Sequence, residues 1–440
     1  MRRALFVAVA IALLIGASIG LTVGRFQPPG QALAFATASP SLAPSPGSAS
    51  PTATPAPSPS ASPSGPVLGD LSGAARLGSD LQASLDRLRA RNAIPGVSAT
   101  VIFPDGSIWR GVSGLSNVAA GIQVTPETAF AVGSISKTFL AVLILDLVDE
   151  GKLRLDASAR EYLPTLPIDR TITIRQLLDH TSGLYDFFFK PGIDHALRAD
   201  RTAVWLPSRT LRYVGKPYFK PGAGWHYSNT NYLVLGLIAE QVGGASVARQ
   251  LRERYFQPLA LRQTFYEVDE RPRSVVAHAY RFAGSKKTLP PIDLADGTGV
   301  TPFRSVVTAA GAAGSIASTS SDIANWAHAL YSGQVLDPAT LDLMIGDAKA
   351  TALLKARVPY GLGVQEVAVS GLPTLGHSGR LLGSQGVVRY FPDTGLTIAV
   401  LTNQNRADPS KILGELLRIA APLPPAPVPP IDCVGTCPAP

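Results

Sequence analysis

Two hairpin patterns, one near each end of the patterned part of the sequence, constrain the fold most. Gly96 to Phe103 alternates as a strand, Pro104-Asp105-Gly106 makes a turn, and Ser107 to Val112 reads as the paired strand. Far downstream, Gly386 to Phe391 and Leu396 to Leu401 form a second hairpin around Pro392-Asp393-Thr394-Gly395. A lone hairpin is marginal in water, so hairpins at both ends point to one antiparallel sheet built from both termini. A helix pattern precedes the first hairpin, about Ala75 to Asn92, with Leu77, Leu81, Leu85 and Leu88 at helical spacing. Another closes the chain, about Ser410 to Ile419. The middle, about residues 138–345, is mostly helical pattern with loops, and no internal repeat is present. The expected fold class is α/β of the α+β type: an antiparallel sheet flanked by helices, with a mainly helical subdomain.

The folding domain is bounded by composition. From Phe26 through Gly69 no residue is charged, and Pro, Ser, Ala and Thr dominate. Such a stretch cannot bury enough apolar surface to offset its ordering entropy. Residues 28–66 are therefore expected to be a disordered linker, reaching up to ~120 Å if it adopts polyproline II. Residues 67–421 are the domain, and residues 422–440 are a Pro-rich tail. With 46% hydrophobic and 16% charged residues, a wholly disordered chain and a coiled coil are both excluded.

Residues 1–27 carry an address. Met1-Arg2-Arg3 precedes an uncharged, mostly apolar run from Ala4 to Gly24. About 20 helical residues span the ~30 Å hydrocarbon layer, whereas a signal-peptide core is about 7–15 residues long. Length favours a retained membrane anchor over a cleaved signal peptide, although Ala32-Leu33-Ala34 is a plausible cleavage site. Either way the domain is expected outside the cytoplasm. This is the one long apolar run, which excludes a polytopic membrane protein.

The net charge of +8 is spread over scattered arginines, with no dense basic run. That argues for a basic surface near an anionic envelope and against nucleic acid as a partner. Cys433 and Cys437 both lie in the tail, where they either close a small disulfide loop or do nothing. The domain itself has no thiol nucleophile and no iron–sulfur ligands. The six histidines show no metal-ligand spacing, so neither metal nor cofactor is expected.

Three short patterns carry chemistry. Ser134-Ile135-Ser136-Lys137 opens a strong helix pattern, which places a hydroxyl and an amine on one helical face. A serine needs an adjacent base to become a nucleophile, and burial lets a lysine lose its proton more easily. Tyr227-Ser228-Asn229 precedes a second helix pattern. A tyrosine beside cations has its pKa drawn down toward the working range, and Asn229 two residues on can donate to a substrate carbonyl. Without the others, Tyr227 would pack under a loop and Asn229 would cap a helix. His377-Ser378-Gly379 sits in a short strand pattern whose glycine lets a substrate backbone come close. Gly16-Ala17-Ser18-Ile19-Gly20 mimics a serine-hydrolase motif but lies in the apolar N-terminal run. His180 reads as a structural turn residue.

In this order, the three patterns resemble the serine penicillin-recognising family: class C β-lactamases, serine D-alanyl-D-alanine carboxypeptidases, and related esterases and D-peptidases. Further stretches look like the same family: Phe130-Ala131-Val132-Gly133, Leu177 to Leu184, Ala313 to Thr319 with Asp322-Ile323, and Tyr360-Gly361-Leu362-Gly363. The resemblance covers about residues 75–420. It implies that Ser134 forms an acyl-enzyme and that Lys137 and Tyr227 move the protons, without saying which is the base. It implies that Asn229 and His377 hold the substrate and the proton network, and that Gly379 admits the substrate backbone. The N–H groups of Ser134 and Arg380 would form the oxyanion hole.

The Leu184-Tyr185-Asp186-Phe187 run and the H-x-G form of the third motif look most like the carboxypeptidase branch. An esterase or class C-type β-lactamase is the alternative, and a non-catalytic peptidoglycan- or penicillin-binding domain is a second. The expected substrate is a small peptide, ester or β-lactam, derived from the cell wall. Those carboxypeptidases carry a carboxylate-binding arginine where this chain has Gln365. Arg380, directly after H-x-G, is the candidate replacement.

Overall fold

The computed structural model describes residues 71–282 and 290–421. Helix α1 (Leu71–Arg91) leads into β1 (Gly96–Ile102), β2 (Ile108–Asn117) and the two-residue β3 (Ile122–Gln123). Helices α2 (Ser136–Asp149), α3 (Asn229–Gly243) and α4 (Ser320–Tyr331) occupy the middle, among turns and further helices. The chain then returns as β4 (Gln365–Val369), β5 (Leu372–Leu381), β6 (Ser384–Tyr390) and β7 (Thr397–Thr402), and ends in α5 (Pro409–Ala420). The seven strands form one sheet in the order β3-β2-β1-β7-β6-β5-β4. Every neighbouring pair is antiparallel. The expected sheet from both termini is thus present, and β1 and β7 close it, with Val97 opposite Thr402 and Ile102 opposite Thr397.

The alternation in β1 has a different cause from a half-exposed strand, because all seven of its residues are buried. Val97, Ala99 and Val101 pack in one core with Leu81 and Leu85 of α1 and Leu413 and Leu416 of α5. The opposite face carries Ser98 and Thr100, whose hydroxyls each lie 2.8 Å from the Ser320 hydroxyl at the start of α4. The sheet is therefore sandwiched, terminal helices on one face and α4 on the other. The polar positions of the strand are satisfied by a helix rather than by water.

Helix α2 is apolar all round, and Phe139 through Leu145 are all buried, as suits a helix at the centre of a core. Phe139 stacks on Trp326 of α4 at 4.1 Å, and the Trp326 indole N–H donates to Thr138 at 2.8 Å. Burying each such large apolar side chain stabilises the fold by about 1.5–3 kcal/mol.

The middle of the chain is less uniformly helical than its pattern suggests. A small sheet joins Phe130–Ala131, Ile316–Ser318 and Phe265–Tyr266, and a further pair joins Tyr280–Arg281 to Ile292–Asp293. Strands this short leave no alternation to read. The small sheet matters for the site, because it ties the approach to Ser134 to the segment that follows Ala313. The Val132 N–H donates to the Ile316 carbonyl at 3.0 Å.

Among the described residues no helix is long and apolar enough to cross a membrane. The Ala4–Gly24 run, the 28–66 linker, and the 422–440 tail with Cys433 and Cys437 lie outside the described residues.

Candidate active site

Ser134 lies in a single 3₁₀ turn, Gly133–Ile135, that feeds directly into α2. Gly133 has φ +53°, and a Cβ there would lie 2.6–2.7 Å from main-chain atoms of Arg380. Both facts require glycine. Arg380 belongs to β5, so its main chain runs alongside the turn that presents the serine. Gly379 fits the same join, since a Cβ on it would overlap the Val132 carbonyl oxygen. The two N–H groups expected to form an oxyanion hole, those of Ser134 and Arg380, belong to these abutting segments.

One turn after Ser134, at the start of α2, Lys137 is completely buried. Its Nζ lies 3.0 Å from Ser134 Oγ, 2.9 Å from Asn229 Oδ1 and 2.6 Å from the Ala313 carbonyl oxygen. Burial lowers its pKa to about 7, and the nearby Asp186 carboxylate opposes that shift. As an ammonium, Lys137 donates all three protons. As an amine, it keeps two donors on the Asn229 and Ala313 oxygens and turns its lone pair to Ser134, whose hydroxyl then donates. The amine is thus held where it can accept the serine proton.

Asn229 is the first residue of α3, and its Nδ2 donates to Asp186 Oδ2 at 2.8 Å. Asp186 is buried and caps the turn Phe187–Phe189 through a 3.0 Å bond from the Phe188 N–H. Its place in the Leu184-Tyr185-Asp186-Phe187 run gives no sign of this role.

Tyr227 is the main electrostatic correction. The neighbouring cation was expected to draw its pKa down, but burial drives it well up. Its hydroxyl is buried without a hydrogen-bond partner, although Ser134 stands near enough to offset part of the shift. Lys137 does not supply the expected pull, because its own burial already favours the neutral amine. The Lys137 Nζ sits 5.0 Å from the Tyr227 ring centre.

His377 lies on β5. It is 1% exposed, and both ring nitrogens are engaged within the protein. Nδ1 lies 2.5 Å from the Ser378 carbonyl and Nε2 lies 2.9 Å from the Tyr360 hydroxyl. Burial lowers its pKa to about 3, so the neutral ring donates from Nδ1 and accepts at Nε2. Both nitrogens are thus satisfied within the protein, and the imidazole ties β5 to Tyr360. His180, read as structural, lies under the catalytic tyrosine candidate, its ring centre 4.2 Å from that of Tyr227. Its Nδ1 accepts the Ser228 N–H at 3.2 Å.

Arg380 is exposed. Gln365 has a structural explanation that its sequence position lacked. Its Oε1 accepts from the Ser378 N–H at 3.0 Å, the Ser378 hydroxyl at 3.2 Å and Arg389 Nη2 at 2.9 Å. Arg389 is 4% exposed, and burial lowers its pKa to about 10. A buried guanidinium directly behind position 365 disfavours a second cation there, so a neutral amide fits. The available signal was a lone arginine inside the apolar run Val387-Val388-Arg389-Tyr390.

Among the described residues no cluster could hold a metal ion. The model for the family described as Beta-lactamase matches residues 81–421. Penicillin-binding protein 4 of Amycolatopsis lactamdurans is 29% identical over 379 residues, covering 80% of this chain and 94% of that protein. A D-aminopeptidase of Brucella canis is 30% identical over 171 residues, 38% of this chain and 32% of that protein. The crystal structure of a D-stereospecific amidohydrolase from Streptomyces sp. superposes with a TM-score of 0.64 at 28% identity, covering 77% of this chain and 97% of that one. With its motif order, its fold and a match running through nearly all of the described residues, the chain belongs to the beta-lactamase family, as a serine hydrolase related to the penicillin-binding proteins.

Proposed function

We propose that the protein is an extracytoplasmic acyl-enzyme hydrolase of the D-alanyl-D-alanine carboxypeptidase type, acting on cell-wall peptides. The observation that carries the reading is the buried Lys137 amine, 3.0 Å from Ser134 with its other donors already placed on oxygens. Ser134 Oγ attacks the substrate carbonyl carbon while its proton passes to Lys137. The developing oxyanion is received by the N–H groups of Ser134 and Arg380, each such donor being worth about 10²–10³ in rate. Collapse of the tetrahedral species breaks the C–N bond, and the departing D-alanine takes a proton from the Tyr227 phenol. Lys137 returns its proton to Tyr227. Water then hydrolyses the Ser134 ester by the same steps in reverse. Lys137 is the base in this scheme, because a phenol held above its ordinary pKa remains a donor.

Similarity to a penicillin-binding protein and to a D-stereospecific amidohydrolase supports a substrate with a D-residue at the scissile bond. The Arg2-Arg3 pair followed by the Ala4–Gly24 run supports export, and the Pro-rich stretch behind it suits a tether. A second reading, hydrolysis of an uncharged ester or amide, is favoured by the neutral Gln365. The deciding assay is D-alanine release from a wall-pentapeptide mimic, run beside a p-nitrophenyl ester and a fluorescent penicillin. Release that Ser134→Ala abolishes supports the carboxypeptidase. Ester turnover without D-alanine release moves the assignment to the esterase.

A further inference from the structure

Lys137 is linked through the Asn229 amide to the buried carboxylate of Asp186. The chain Ser134 Oγ, Lys137 Nζ, Asn229 Oδ1, Asn229 Nδ2 and Asp186 Oδ2 runs through contacts of 3.0, 2.9 and 2.8 Å. An asparagine amide can be turned either way, and its two ends have opposite hydrogen-bond roles. A carboxylate accepts only, so Asp186 forces the Nδ2 end toward itself and the Oδ1 end toward Lys137. The reverse orientation would set an N–H₂ group against the amine and an oxygen against the carboxylate. Asp186 is itself locked, being 1% exposed and bonded through its other oxygen to the Phe188 N–H.

We infer that Asp186 is a positioning residue for the reaction, which fixes the Asn229 amide so that its oxygen faces Lys137. The inference rests on the reading of Ser134 and Lys137 as nucleophile and base.

The charged and titratable groups around Lys137 are Asp186 at the head of the Phe187–Phe189 turn, His180 on the loop preceding that turn, Tyr227 on the loop before α3, Tyr232 on α3, and His377 on β5. Burial holds both histidines neutral and both phenols protonated near neutral pH. Tyr218 faces Asp186 from the other side, and its pKa too is raised. Burial raises the pKa of Asp186 itself, opposed by the hydrogen bonds it accepts from Phe188 and Asn229 and by Lys137, and in its carboxylate form it is the anion that bears on Lys137. An anion stabilises the ammonium, so its removal lets Lys137 lose its proton at lower pH.

The test uses the full-length protein with Asp186→Asn, Asp186→Ser and Asp186→Glu. Serine keeps a cap for the Phe188 N–H while removing the charge, so it separates loss of the turn from loss of the anion. Acylation by a chromogenic penicillin, followed against pH, gives kcat/KM and its acid limb. The expected result for Asn and Ser is a fall of about tenfold or more at the optimum, with the acid limb moved to lower pH. Glu should leave the limb near its wild-type place. In the Asn229→Ala background, Asp186→Asn should lose most of its effect on rate. A limb that stays put in both Asn and Ser variants, or rates within twofold of wild type, overturns the inference. Should Ser134→Ala still be acylated, the reading of the nucleophile fails instead, whatever the Asp186 variants do.

Discussion

A methyl group at Gly379 has nowhere to go, because the Val132 carbonyl oxygen occupies the place of its Cβ. The Ser134 nitrogen lies 3.1 Å from the same point. Strand β5 and the turn before α2 are thus in direct main-chain contact, and their spacing fixes the distance between the serine and the Arg380 N–H. Gly379→Ala must push β5 outward. If the two N–H groups act as an oxyanion hole, ester turnover should fall by about 10²–10³. Circular dichroism should stay native, because β5 is held on its other side by β4 and β6. Turnover within threefold of wild type would show that the spacing is irrelevant to the chemistry.

The pH profile follows from Lys137. With its pKa lowered to about 7, the amine fraction falls as the pH drops below that value. Acylation should therefore show an acid limb centred near pH 7, falling tenfold per unit well below it. The Tyr227 phenol, raised by burial, should add no alkaline limb below about pH 10. An acid limb at pH 4 would assign the limiting group to a carboxylate and remove Lys137 as the base.

Tyr227→Phe separates activity from stability. The hydroxyl is buried and unpartnered, and an unmet buried polar group costs about 1–3 kcal/mol. Removing it should leave the melting temperature unchanged or higher. Turnover should nevertheless fall about 10²–10⁴-fold, the usual range for a lost proton-transfer group. A variant that is destabilised and fully active would make Tyr227 a packing residue.

What the sequence made legible depends on how far apart the cooperating residues lie. The hairpins and terminal helices were readable because alternation and Leu77-Leu81-Leu85-Leu88 spacing are local patterns. That the two hairpins share one sheet followed from their positions at both ends, whereas the strands that meet, β1 and β7, are seen only in the structure. Ser134 and Lys137 were readable because one helical turn links them. Asp186 was not, since its effect passes through Asn229, whose amide orientation exists only in three dimensions. The direction of the Tyr227 shift was misjudged for a similar reason: charge is visible in a sequence, whereas burial is not, and burial won. His377 is visible in its motif, whereas its partners, the Tyr360 hydroxyl and the Ser378 carbonyl, are not.

Burial also sets a stability profile away from the site. Glu267 is 1% exposed, and its pKa is raised to about 8, chiefly by burial. Its Oε1 accepts the Thr301 N–H at 3.0 Å, while Oε2 has no partner. Unfolded, the same carboxyl titrates near pH 4.3. Between those values the folded state binds the extra proton, so stability must fall as pH rises through that window. Glu267→Gln keeps an acceptor for Thr301 and removes the titration. Its melting temperature should exceed that of the wild type above pH 7, and the gap should close toward pH 4. A gap that does not depend on pH would place the ionised carboxylate in a solvated environment.

Arg380 decides between the two substrate readings. It is exposed, directly after Gly379, on the strand that borders Ser134. Gln365 carries no charge, and the buried Arg389 behind it opposes placing one there. Arg380 is therefore the candidate fork-like donor for a substrate carboxylate. Arg380→Gln should cost about 1.5–3 kcal/mol on a D-alanyl-D-alanine peptide, or roughly 10–150-fold in kcat/KM. On a neutral p-nitrophenyl ester it should change little, since the Arg380 N–H remains in the main chain. Equal losses on both substrates would mean that β5 itself has moved. No loss on the peptide would discard Arg380 as the carboxylate anchor and assign the site to uncharged esters or amides.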